Sequence, residues 1–261
     1  MKLCLLSFDT SGPGLSVSIS RGGEVLAQSD HDSDGPEKAD RPKADRQESV
    51  SMLMPTIDTL VRQAGLAKKE LQAIAVGVGP GGFTGVRVAV VTGRTLAQAL
   101  KLPLVPVNSL EVMSYDLPSA EAGGVIKEAS KSHCFVARYE AVAGAHDLHD
   151  LHNLRTVQAP TYLTTEALSS VFEKEPETIW YLEERLLDRF PQYAQRLRPL
   201  PSVNNIAVSQ AKIAHVRLSL KADEGQDLLA AFPYQTVQPL YLRGASVTLK
   251  KGDVIERVET H

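Results

Sequence analysis

Apolar positions along this chain recur in two rhythms, and the change from one to the other divides it into elements. Residues 3–10 (LCLLSFDT) are an apolar run of strand length, and residues 15–20 (LSVSIS) alternate as a half-buried strand does. A third strand is expected at about 24–29 (EVLAQS). Gly12-Pro13-Gly14 and Arg21-Gly22-Gly23 supply tight turns, so the three strands read as an antiparallel meander. Residues 30–47 contain no large apolar side chain and many charges of both signs, the pattern of a solvated loop. From Glu48 to Ala64 the period lengthens, placing Val50, Leu53, Met54, Ile57, Leu60 and Val61 on one helical face. Pro55 lacks a donor, so this helix starts near it or kinks there.

Residues 71–100 form the centre of the pattern. Ile74 to Val78 read as a buried strand, Gly79-Pro80-Gly81-Gly82 breaks it, and a helix resumes at about Thr84, whose hydroxyl is placed to cap it. Val86, Val88, Ala89, Val90, Val91, Leu96, Ala97 and Leu100 do not fit one stripe. A helix apolar nearly all round must be covered twice, by its own sheet and by a second layer or another chain. A short strand follows at 104–107. The order strand, strand, strand, helix, strand, helix, strand describes an α/β, ribonuclease-H-like half of an actin-type fold.

The rest of the chain repeats that order in elements, not in residues. A helix is expected over 108–122, strands at 125–127, 133–142 and about 154–159, a helix at about 164–173 and an apolar strand at 178–182. A charged helix broken by Pro191 covers 183–198, and a further helix covers 203–220. The expected division is one subdomain of 1–107 with 203–243, a smaller one of 108–202, and a charged tail of 244–261.

Composition narrows the picture little. The 261 residues are 43% hydrophobic with a net charge of −3, which gives no wholesale basic surface for nucleic acid. The N-terminal apolar run is too short for a signal peptide and no segment reaches transmembrane length. Cys4 and Cys134, the two cysteines, lie in apolar strand-like runs and read as buried reduced thiols in a cytoplasmic protein.

Candidate chemistry is sparse. Gly77-Val78-Gly79-Pro80-Gly81-Gly82 satisfies a dinucleotide fingerprint between strand and helix. No acid ends the next strand to hold a ribose, however, and Pro80 removes an N–H from the cradle. The competing reading is a tight turn that brings helix close to sheet. A phosphate-loop motif is ruled out because no Gly-Lys-Ser/Thr follows. Asp9, before Thr10, ends the first strand where an actin-type ATPase keeps a carboxylate near magnesium and phosphate; a turn-forming role is the plainer alternative. His146, His149 and His152 are spaced by three, yet no second metal-ligand motif accompanies them, so they read as exposed residues and no metal site is expected. No serine lies in a nucleophile elbow and no Cys–His pair is indicated, so no catalytic residue is assigned.

Residues 5–11 (LLSFDTS), 71–96 (LQAIAVGVGPGGFTGVRVAVVTGRTL), 104–110 (LVPVNSL) and 239–243 (PLYLR) together resemble the TsaB/YeaZ family. The run Gly79 to Arg87, G-P-G-x-F-T-G-V-R, is specific to it, and residues 117–200 carry the least likeness. The resemblance implies an actin-like (ASKHA) fold of two subdomains. It implies a non-catalytic subunit that supports TsaD, and TsaE through the complex, in making threonylcarbamoyladenosine in tRNA. It implies an indirect tRNA contact and no membrane, and the apolar patch, left bare without TsaD, would join two copies as a homodimer. The partner surface would be the helices 48–64 and 84–100, with Val50, Leu53, Met54, Ile57, Val86 and Val90. Asp9, Thr10, Gly79, Gly81 and Gly82 are the nucleotide-site candidates, with ATP or ADP and magnesium entering only at the complex interface. The rival reading is an actin-like ATPase or glycoprotease-like hydrolase using Asp9 and the Gly79–Gly82 loop. Three departures weigh against independent nucleotide binding. The helix Glu48–Ala64 has no histidine, Glu128-Ala129-Ser130 stands where relatives carry Asp-Ala-Arg, and Leu182-Glu183-Glu184 stands where they carry Gly-Asp-Gly.

Overall fold

Two five-stranded sheets built on one plan frame the protein in the computed structural model, which describes residues 2–12, 14–31, 51–117, 123–141, 154–201 and 205–242. The first contains β1 (Cys4–Asp9), β2 (Leu15–Arg21), β3 (Glu24–His31), β4 (Ala73–Gly77) and β5 (Leu104–Val107), in the order β3-β2-β1-β4-β5. β1, β2 and β3 pair antiparallel through short turns, whereas β1, β4 and β5 pair parallel. Parallel neighbours need long crossovers. The helices α1 (Leu53–Gln63) and α2 (Phe83–Leu100) provide them.

The second sheet contains β6 (Gly124–Ser130), β7 (His133–Ala141), β8 (Leu154–Thr164), β9 (Trp180–Leu182) and β10 (Leu197–Pro199). Its order, β8-β7-β6-β9-β10, and its pairing directions repeat the first. The short helices α4 (Leu168–Lys174) and α5 (Glu184–Leu187) lie in the two crossovers. The helices after each sheet then change sides. α3 (Ser109–Tyr115), which follows β5, packs on β6 and β7, while α6 (Ile206–Asp223), which follows β10, packs on β1 and β2. A short helix α7 (Leu228–Ala231) and the segment to Leu242 complete the described chain.

The alternation of side chains sorts the cores. Leu6 and Phe8 of β1 face α1 and α2, and Leu3 and Leu5 face α6. β2 departs from the half-buried strand expected over 15–20, because its serines are buried as well as its apolar residues. Ser16 Oγ donates to Asp30 on β3, and α6 satisfies the other two. Ser18 Oγ donates to the Ala207 carbonyl, and Ser20 Oγ bonds His215 Nε2 at 3.0 Å. On neighbouring β1, Gln210 Nε2 donates to Ser7 Oγ and the Phe8 carbonyl. Polar groups paired this way cost little to bury.

Several expected boundaries shift for local reasons. α1 begins at Leu53, so Pro55 falls in the first turn, where no intrahelical donor is required, and no kink follows. Gly82, not Thr84, is the N-cap of α2, and no side chain caps it. The broken helix expected over 183–198 is instead α5, a 3-10 segment Pro191–Arg196 and β10. α6 starts at Ile206 because Asn205 Oδ1 accepts from the Val208 N–H.

Candidate functional site

β1 and β4 end side by side at Asp9 and Gly77, and the segments after them form one interlocked unit. Asp9 is buried, and its Oδ1 accepts from the Ser11 N–H at 2.6 Å and Ser11 Oγ at 2.7 Å. Ser11 Oγ also lies 3.0 Å from Ser109 Oγ at the start of α3, whose N–H donates to the Gly79 carbonyl. Asp9 Oδ2 has no hydrogen-bond partner. It fits only because residue 77 is glycine, since a Cβ there would stand 1.6 Å from it.

The structure therefore brings Asp9, Thr10, Gly79, Gly81 and Gly82 together. It also shows what fills the glycine loop. Thr10 Oγ1 donates to the Gly85 carbonyl at 2.7 Å, and the Gly82 N–H donates to the Ser11 carbonyl at 2.8 Å. A Cβ on Gly85 would lie 1.7 Å from the Thr10 carbonyl oxygen. The loop backbone that a phosphate would approach is packed against residues 10 and 11, which is the tight-turn reading of the glycines. Gly77, the first glycine of the fingerprint, belongs to this unit, as do Ser11, Gly85 and Ser109, which sequence reasoning did not assign to a site. Gly85 carried a signal in its place next to the helix start.

The six partner-surface candidates divide differently. Leu53, Ile57 and Val90 are buried in the core beneath α1 and α2, and Val86 is buried beside Gly79. Their side chains are used inside the monomer, which corrects the expectation that they lie free for a partner. Met54 is 49% exposed, and Val50 lies outside the described residues. The double cover expected for α2 comes largely from the chain itself: Tyr234, Val237 and Leu240 pack into the same core. Of its eight apolar residues named above, Val91 alone is exposed, at 62%. Met52 and Phe83 are also exposed. The Phe83 ring stacks on Tyr241 at 5.1 Å, with the Arg87 guanidinium 5.2 Å from its centre. α2 carries Arg87 and Arg94 and no acid.

His146, His149 and His152 lie outside the described residues. Cys4 and Cys134 are free and buried, and burial pushes the Cys134 thiol up from its ordinary value. A cavity of about 550 Å³ lies between β5 and the segment 231–240, lined by Val78, Leu104, Phe232, Pro233 and Val237. Arg217 at its wall is occupied by the Pro106 carbonyl and Glu111. Among the described residues, no helix is long and apolar enough to cross a membrane.

Comparison with known proteins adds a context. The family of TsaD, tRNA N6-adenosine threonylcarbamoyltransferase, matches residues 39–155. A tRNA threonylcarbamoyladenosine biosynthesis protein TsaB of Haemophilus influenzae is 34% identical over 127 residues, 46% of this chain and 46% of that protein. TsaB of Bacillus subtilis is 39% identical over 61 residues, 23% of this chain and 27% of the relative. The chain thus spans about half the length of the first and about a quarter of the second. Among solved structures, a protein from Pseudomonas aeruginosa described as similar to peptidase YeaZ superposes with a TM-score of 0.64. It is 22% identical, with 92% of this chain and all of that chain covered. At that identity the likeness speaks for the fold, an α/β, actin-like arrangement, as the repeated sheet order does.

Proposed function

We propose, for a chain whose relatives support the TsaB/YeaZ family, that it is a non-catalytic subunit of threonylcarbamoyladenosine synthesis. It binds and supports a TsaD-type transferase, reaches TsaE through that complex, and works in the cytoplasm. tRNA contact is indirect. ATP or ADP and magnesium enter only where the partner completes a site. In the partner's absence the same surface joins two copies of the chain.

The observation that carries this reading is Val91, 62% exposed midway along a helix whose other valines and leucines are buried or half-buried. Met54 on α1 and Met52 at its N-cap stand exposed, and α1 covers the same face of the sheet. Apolar side chains held out on two helices of one layer are the material of an interface. Arg87 and Arg94 flank Val91 without any acid on α2, so the matching surface is apolar with acidic neighbours.

The test is size-exclusion chromatography of the purified chain with TsaD from the same organism. Wild type should co-elute with it. Val91→Glu and Met54→Glu should lose the complex, at a cost of about 2–5 kcal/mol in binding, with the circular dichroism spectrum kept. Val157→Glu, exposed on β8 of the other sheet, is the control and should still bind. If wild type and TsaD elute apart at micromolar concentration, the reading is wrong. The rival ATPase reading predicts turnover of ATP by the chain alone that Asp9→Ala abolishes. The subunit reading predicts none above buffer.

A further inference from the structure

We propose that Lys127 and Asp9 form an opposed charge pair across the junction of the two halves, and that this pair holds the junction in place of a divalent cation. The internal repeat brings the two residues to corresponding positions. In the first sheet the β1–β4 register ends at Phe8 opposite Val76, and Asp9 is next; in the second the β6–β9 register ends at Ile126 opposite Leu182, and Lys127 is next. Phe8 and Ile126 both point into the core beneath their own crossover helices. The residue after each therefore points to the opposite face. In the first sheet that face carries α6 with α3 beside it, and in the second it carries α3. Ser109 at its start bonds Ser11 beside Asp9, and Leu110 packs with Val125, which shares Lys127's face of β6.

The chemistry agrees with the placement. Asp9 Oδ1 is already engaged by Ser11, and Oδ2 is buried without a hydrogen-bond partner, so its charge must be balanced across space. Lys127 is half-buried. Burial pushes its ammonium down from the ordinary lysine range, and the charges of Asp9 and Glu183 act against that. An actin-like ATPase would place magnesium and phosphate at such a junction, and the residues present do not fit them. A hard cation takes several oxygen ligands at once. Here the counterpart of Asp9 is itself a cation, and among the described residues no group of three His, Cys, Asp or Glu side chains is placed to hold a metal. The inference stands apart from the TsaD reading, since it concerns the chain alone.

A double-mutant cycle on the full-length chain tests it by thermal denaturation. Asp9→Asn and Lys127→Met should each lower Tm by about 2–4 °C, and the double variant should fall by clearly less than their sum, because one loss removes the reason for the other. Additive losses overturn the pair. Should Asp9→Asn fail to fold, Lys127→Arg compared with Lys127→Met decides: Arg should keep Tm and Met should lose it, and equal losses overturn the proposal. Magnesium titration gives an independent arm. Wild type should show no magnesium-dependent rise in Tm, while Lys127→Asp should gain one of about 3 °C at saturating metal. A wild-type rise that Asp9→Asn removes would mean that a metal, not Lys127, balances Asp9.

Discussion

Asp9 and Gly77 show how much of this protein depends on single atoms. The carboxylate occupies the space that a side chain at residue 77 would need, and Gly85 gives way in the same manner to the Thr10 carbonyl. A methyl group forced against backbone oxygen moves the backbone and typically costs about 1–3 kcal/mol, more when nothing nearby yields. Gly85→Ala should therefore lower Tm by about 3–8 °C in a chain of this size. Gly12→Ala, where an added Cβ meets nothing within 4 Å, should leave it unchanged within about 1 °C. Differential scanning fluorimetry of the two variants decides the point, and equal midpoints would refute the interlock. Cys134 belongs to the same scale. Its thiol is buried and its ionisation suppressed, so a thiol reagent should label it only as fast as the protein opens. Labelling at the rate of free cysteine would mean that β7 is exposed.

At the scale of elements, α6 is the unusual one. It docks on β1 and β2 with Ser209, Gln210 and His215 buried among its alanines and leucines. Burial lowers the His215 pKa below its ordinary value, while the unfolded chain still takes up the proton near pH 6.5. The neutral form is therefore the folded form. Stability from this group is complete above pH 6.5 and declines as pH falls below it, by at most about 1.4 kcal/mol per pH unit, until the folded pKa is reached. Urea denaturation at pH 7.5 and pH 5 should show the loss. Subtracting the same pair of curves for His215→Gln isolates the histidine's share. If the variant loses as much between the two pH values as wild type, His215 is not the group responsible. The outer faces of α1 and α2 behave otherwise. Their inward residues hold the core, so Leu53→Glu or Val90→Glu would unfold the chain before reporting on any partner. Met54 and Val91 are the positions where binding and folding separate.

For the whole molecule, the exchange of α3 and α6 has a mechanical consequence. Each sheet is covered on one face by a helix that the chain reaches only after finishing the other sheet or before starting it. Ser209 Oγ donates to Asp116 at the end of α3, and Arg217 pairs with Glu111 within it, so the two helices are also tied to each other. Neither half can lose its partner and keep its core, and the two should unfold as one unit. Trp180, the single tryptophan, is fully buried in the second sheet and reports on that half. Its fluorescence and the far-ultraviolet circular dichroism of the whole chain should give the same urea midpoint. Two midpoints would show that the halves unfold independently.

Periodicity alone located nearly every strand and helix, because each rhythm is a local property of consecutive residues. The meander of β1 to β3, the crossover helices and the repeat of that order after residue 123 all follow from it, and the run Gly79 to Arg87 carried the family resemblance. Local pattern could not tell which partner covers a face. Ser18 and Ser20 read as solvent-facing until α6, nearly 190 residues later, supplies their hydrogen bonds. Val90 read as surplus apolar surface until the sheet and the segment 234–240 close over it. The glycine loop matched a phosphate-cradle pattern in sequence but read better as a tight turn. The choice depended on what enters it, and that is Thr10 and Ser11 from the end of another strand. Lys127 carried no signal at all in the sequence. It gains one only when two sheets far apart along the chain bring it to the position that corresponds to Asp9, since charge acts through space and not along the backbone.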